Sequence, residues 1–145
     1  MPLSVTPLSE ALGAEIQGVD LSKPVSPADV AAIEQALTDH LVIVVRNQSL
    51  SPSELVAGLG LFGDIMLQHR SDILLEGQPE IAVLDSRNAP VEANGEAYPD
   101  GSRDWHTDHT NHARPPKITA LYAVRLPEGG GGDTGFADMH AAYDG

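Results

Sequence analysis

At 145 residues the chain is long enough for one modest domain, and 41% apolar with 20% charged residues argues for a packed core against wholesale disorder. Eight Lys and Arg against 21 Asp and Glu leave a net charge of -13, which speaks against nucleic acid as a partner and against binding to anionic membranes. There is no cysteine for a disulfide or thiolate site, no apolar run near the ~20 residues that span a bilayer, and no signal-peptide character in Met1-Pro2-Leu3-Ser4, so the expected compartment is the cytoplasm and any metal falls to His, Asp or Glu.

Leu3 to Val19 alternate weakly and contain Gly13 and Gly18, which predicts two short strands joined by a turn. Ser26-Pro27-Ala28-Asp29 announces a helix, with Ser26 as N-cap, Pro27 in the first turn and Asp29 closing a capping-box-like pair. Val30, Ile33, Leu37 and Leu41 follow at helical spacing. The β-branched run Leu41 to Val45 then predicts a buried strand. Ser51-Pro52-Ser53-Glu54 opens a second helix whose apolar stripe is Leu55, Val56, Leu59 and Phe62, and Gly63 is placed to end it. A further strand is expected over Glu80 to Asp85. From Ser86 to Arg103 the chain is polar and broken by Pro90, Gly95, Pro99 and Gly101, so a long loop is expected, of the kind that carries function.

That loop leads into Asp104-Trp105-His106-Thr107-Asp108. In an extended strand, residues i and i+2 project from one face, so the His106 imidazole and the Asp108 carboxylate can converge on one point. Side by side they supply two of the groups of a 2-His-1-carboxylate triad, which holds Fe(II) and leaves coordination positions open. After Pro115-Pro116, Lys117 to Leu126 alternate as a strand, with Ile118, Ala120, Tyr122, Val124 and Leu126 on one face. Pro127-Glu128 and Gly129 to Gly132 make a turn, Asp133 to Ala137 read as a returning strand, and Met139 to Tyr143 open a helix. A helix started there has scarcely two turns before Gly145, so residues 1–145 are expected to be the N-terminal part of a single longer domain whose C-terminal half is absent.

From Trp105 to Tyr143 the sequence resembles the taurine catabolism dioxygenase family of Fe(II)- and 2-oxoglutarate-dependent oxygenases. The likeness rests on Trp105-His106-Thr107-Asp108, the following Pro115-Pro116, the alternating strand, and Gly131-Gly132-Asp133-Thr134 after the Leu126-Pro127 turn. Ile16 to Leu21, Val42 to Gln48, Leu61 to Asp64 and Ile81 to Asp85 fit the same order upstream. The resemblance implies an α+β, mostly β fold: a double-stranded β-helix, or jelly roll, with flanking N-terminal helices, truncated here. It also implies that His106 and Asp108 are iron ligands and that Thr134 binds the distal carboxylate of 2-oxoglutarate. Three protein ligands leave iron three positions, two for the 2-oxo acid and one for O2. The implied reaction hydroxylates a small organic substrate, taurine, another sulfonate or another anion, with release of succinate and CO2. The distal His ligand and the Arg that pairs with 2-oxoglutarate belong to the C-terminal half. Homo-oligomerisation of the full-length form stays open.

Other residues carry competing expectations. His69 follows Phe62-Gly63 where the family places a substrate-contacting histidine, against a solvated loop position. Taken alone, Thr134 is a strand residue after a glycine turn. His109 and His112, with His106 and Asp108, offer a local cluster for zinc or nickel, which would make the chain a jelly-roll hydrolase or isomerase. A third option is a non-catalytic fragment. Trp105, the single tryptophan, is expected to pack and fix the strand carrying His106.

Overall fold

The computed structural model describes residues 1–67, 71–85, 104–130 and 133–145. The chain divides into two compact units, Met1–Gly63 with Ala123–Gly145, and Asp64–Tyr122.

In the first unit, strand β1 (Ser4–Pro7) runs antiparallel to β2 (Ala14–Gln17), with Ser4 opposite Gln17 and Pro7 opposite Ala14. Their connection is closed by Leu8 N donating to Gly13 O at 2.8 Å, and Gly13 takes φ 93, a conformation that a side chain would strain. Helix α1 (Pro27–His40) starts where expected: the Ser26 hydroxyl accepts from Asp29 N, satisfying a donor that has no intrahelical partner. Strand β3 (Ile43–Val45) then pairs parallel with β2, Ala14 opposite Ile43 and Ile16 opposite Val45, so α1 serves as the crossover. Ile16, Ile33 and Ala36 are buried together, with Leu3, Val19, Ile43, Val45 and Phe62 packed against them. Leu41 departs from the helical stripe. It caps α1 at φ 64 and is exposed, while Gly13 N and Val42 N both donate to His40 O and tie the helix end to the sheet.

Helix α2 (Pro52–Leu59) has a complete capping box between Ser51 and Glu54. It continues as one 3-10 turn over Gly60–Phe62 before Gly63 leaves at φ 141. Helix α3 (Met139–Asp144) is short, and its N-cap Asp138 accepts from His140 N and Ala141 N. In the second unit a 3-10 turn over Ser71–Ile73 precedes a small antiparallel ladder of β4 (Leu74–Leu75) and β5 (Gln78–Ala82). β5 begins and ends earlier than the expected Glu80 to Asp85, because its partner reaches only as far as Leu74 opposite Ala82.

Two expected strands do not form. Residues 117–126 and 133–137 take no sheet structure, although their alternation is that of strands. A strand is held by hydrogen bonds to a neighbour, and among the described residues none pairs with either segment. The described strands make one three-stranded and one two-stranded sheet, too little to constitute the expected double-stranded β-helix. Among the described residues no helix is long and apolar enough to cross a membrane.

Candidate metal-binding site

Asp104 to Asp108 lie in the second unit, outside any strand, and run into a turn that starts at Asp108. The two side chains nevertheless come together. His106 Nε2 and Asp108 Oδ1 stand 3.3 Å apart on side chains that are 51% and 42% exposed. The other ring nitrogen is also held: His106 Nδ1 lies 2.8 Å from the Asp104 carbonyl oxygen. A carbonyl only accepts, so Nδ1 carries the hydrogen, and in the neutral ring Nε2 presents its lone pair toward the carboxylate. Either a proton on Nε2, which makes the contact an ion pair, or a bound cation satisfies both groups.

A transition metal fits that need. Ligand atoms about 2.1 Å from one ion and at a right angle to each other are about 3 Å apart, close to the spacing of His106 Nε2 and Asp108 Oδ1. A metal-ligating histidine characteristically donates its second N–H to a carbonyl or carboxylate, which fixes tautomer and ring orientation. The Asp104 carbonyl occupies that position. Sequence reasoning had no hold on this contact, since any residue at 104 offers a carbonyl. Imidazole and carboxylate are both suitable donors for Fe(II).

Other candidates fall elsewhere. His69 and the loop from Ser86 to Arg103 lie outside the described residues. Thr134 belongs to the first unit and is exposed in a segment without regular structure. Trp105 is 76% exposed and no strand forms around it, which overturns its expected packing role. His109 and His112 meet each other, ring centroids 5.3 Å apart and planes at 84°. The four-residue zinc or nickel cluster is not assembled, because among the described residues no three His, Asp or Glu side chains come together as a metal-holding group. His140 sits in α3 beside Asp138.

The profile of the Taurine catabolism dioxygenase TauD, TfdA family matches residues 4–145. The chain belongs to this family. It is 33% identical over 144 residues to an alpha-ketoglutarate-dependent sulfate ester dioxygenase from Pseudomonas putida, an alignment covering 99% of this chain and 44% of that protein. It is equally 33% identical over 138 residues to pentalenolactone F synthase from Streptomyces avermitilis, covering 92% of this chain and 44% of the synthase. The chain thus spans less than half the length of these relatives. Among solved structures, a taurine dioxygenase from Burkholderia xenovorans superposes with a TM-score of 0.51 at 38% identity, over 53% of this chain and 28% of that one. The fold neighbours are therefore of the taurine dioxygenase type, and the enzyme class of this taurine-catabolism dioxygenase family is the 2-oxoglutarate-dependent dioxygenases.

Proposed function

We propose that this chain carries the first two iron ligands of an Fe(II)- and 2-oxoglutarate-dependent dioxygenase that hydroxylates a small organic anion, a sulfonate or sulfate ester before other classes. The observation that carries the proposal is the His106–Asp108 pair, 3.3 Å apart, with the imidazole oriented by the Asp104 carbonyl. When bound, iron with 2-oxoglutarate and O2 supplies oxidative decarboxylation to succinate and CO2, coupled to hydroxylation. The chain's own contribution is narrower. His106 gives Nε2 and Asp108 gives one carboxylate oxygen, and Thr134 donates its hydroxyl to the distal carboxylate of 2-oxoglutarate. His69 is proposed as a contact to the substrate's anionic group. The sulfate ester preference follows the P. putida relative, whose name specifies one, and the sulfonate preference follows an alpha-ketoglutarate-dependent sulfonate dioxygenase from Saccharomyces cerevisiae, 32% identical over 149 residues.

Among the described residues no third ligand joins the pair, so binding of Fe(II) by this chain alone is expected to be weak. Anaerobic Fe(II) titration of the chain reads the pair directly. Succinate formation coupled to O2 loss, with taurine and an alkyl sulfate as substrates, reads the reaction in a form that includes the distal ligand. His106→Ala is expected to abolish both signals. Unchanged Fe(II) uptake by that variant would sink the assignment of the pair, and turnover without 2-oxoglutarate would sink the enzyme class.

A further inference from the structure

Strand β1 lies at the edge of its sheet, with β2 on one side and no neighbour on the other among the described residues. The ladder decides which backbone groups face outward. Ala14 N donates to Val42 O, so along β2 the backbone groups of Ala14 and Ile16 turn toward β3 and those of Glu15 toward β1. Val5 stands opposite Ile16, in a pair without mutual hydrogen bonds, and its N–H and C=O point out of the sheet edge. Its side chain shares the Ile16 face, which packs on α1. Beside that edge, between β1 and α1, runs an open groove of about 390 Å³. Val5, Pro7, Ala32 and Ala36 form its apolar walls, and Gln35, Asp39 and His40 border it. We propose that this edge and groove form a docking site for an extended, cationic peptide segment of a partner protein, which adds to β1 as a further strand.

Charge complementarity selects the occupant. β1 and α1 carry Asp29, Glu34 and Asp39 and no Lys or Arg. The carboxylate at the groove, Asp39, accepts from Gln35 Nε2 at 2.7 Å, and among the described residues no Lys or Arg pairs with it. It stands in the last turn of α1, where the helix carbonyls add negative potential. The net charge of -13 attracts a cationic segment and opposes a second copy of the chain in the same place. A peptide residue opposite Val5 exchanges both backbone hydrogen bonds with it and sets its side chain over Ala32 and Ala36. The residue two further along an extended peptide shares that face at a distance of about 7 Å, which gives a Lys or Arg there the reach to meet Asp39. Pro7 has no N–H to offer, so the pairing is confined to a short segment.

The test uses the whole chain and a fluorescein-labelled peptide of the pattern Lys-Thr-Val-Thr-Lys, followed by anisotropy at low salt, with sedimentation velocity of the chain alone alongside. Saturable binding is expected, about fivefold or more tighter than for Glu-Thr-Val-Thr-Glu. N-methylation of the central valine of the probe is expected to abolish it, because the donor to the Val5 carbonyl is then gone. Asp39→Asn is expected to weaken binding about fivefold, and Glu34→Gln, the same charge change at a helix position outside the groove, by less than about twofold. Ala32→Leu fills the groove from a half-buried helix position and is expected to weaken binding about tenfold with the circular dichroism spectrum unchanged. Equal binding of the N-methylated probe would show attraction by surface charge alone and overturn the strand addition. Equal losses for Asp39→Asn and Glu34→Gln would remove the groove as the seat of the peptide. A chain that sediments as a dimer and dissociates on Val5→Pro places a second copy at this edge, which overturns the proposal as well. None of these measurements involves His106 or Asp108, so the dioxygenase reading stands or falls separately.

Discussion

Residues 1–63 and residues 104–145 have similar shares of strand-forming residues, yet they end in different states. In the first stretch the ends of the elements are tied. The Ser26 and Ser51 hydroxyls cap their helices, Gly13 N and Val42 N take the His40 carbonyl, and Gln48 bridges three backbone groups, accepting from Leu21 N and donating to Val19 O and Arg46 O. The buried apolar residues among those described, Ala14, Ile16, Ile33 and Ala36, are all there. In the second stretch Leu121, Val124, Leu126, Met139 and Tyr143 are each more than two-thirds exposed. The difference is one of partners. The first stretch contains, within a few dozen residues, every neighbour its strands require, whereas an alternating strand without a neighbour gains neither hydrogen bonds nor a covered face.

The widest test of that contrast pairs two apolar positions of similar chemistry. Ile16→Ala removes the largest fully buried side chain and is expected to destabilise the first unit by about 3 kcal/mol, read as a lowered urea midpoint at unchanged slope. Val124→Thr, at 88% exposure, is expected to change the midpoint by less than about 0.5 kcal/mol. Equal effects would show that residues around 124 are covered in solution, and the comparison between the two stretches would collapse.

How much could be foreseen follows the same line. The helix starts at Ser26 and Ser51 were legible to the residue, because a cap is a contact between residues three apart and needs nothing distant. β1 and β2 were legible as two strands joined by a turn for the same reason, whereas β3 was legible as a strand but not as the parallel neighbour of β2, which lies 29 residues away. The strands at 117–126 and 133–137 were misjudged because alternation reports a preference for a pleated, half-buried surface and does not say whether a neighbour exists. His106 and Asp108 come within 3.3 Å of each other although the strand expected to align them does not form. The left-handed turn at His109 and the carbonyl behind His106 left no trace in composition or periodicity.

A smaller effect is expected from local capping. Ser51 Oγ accepts from Glu54 N, while the Glu54 carboxylate accepts from Ser51 N at 2.7 Å. Ser51→Ala leaves one helical donor without its partner and is expected to cost about 1 kcal/mol. Thermal unfolding followed by circular dichroism measures it. A loss as large as that for Ile16→Ala would mean that α2, not the Ile16 cluster, governs the first unit.

The smallest effect concerns acid. The Lys23 ammonium and the Ser22 hydroxyl and amide hold the Asp20 carboxyl down to about 2 from the usual 3.8. Hydrogen bonds from Gln17 and Arg46 lower Glu15, and the Ser51 hydroxyl and amide lower Glu54. A carboxyl whose folded value lies below its unfolded value stabilises the fold above the unfolded value, and that contribution disappears as pH falls through the folded one. The first unit is therefore expected to lose stability gradually between pH 4.5 and about 2, with little change from there up to neutrality. Asp20 is exposed and Glu15 and Glu54 are half-buried, so the slope should be shallow and flatter in high salt. Asp20→Asn should flatten it further at its lower end.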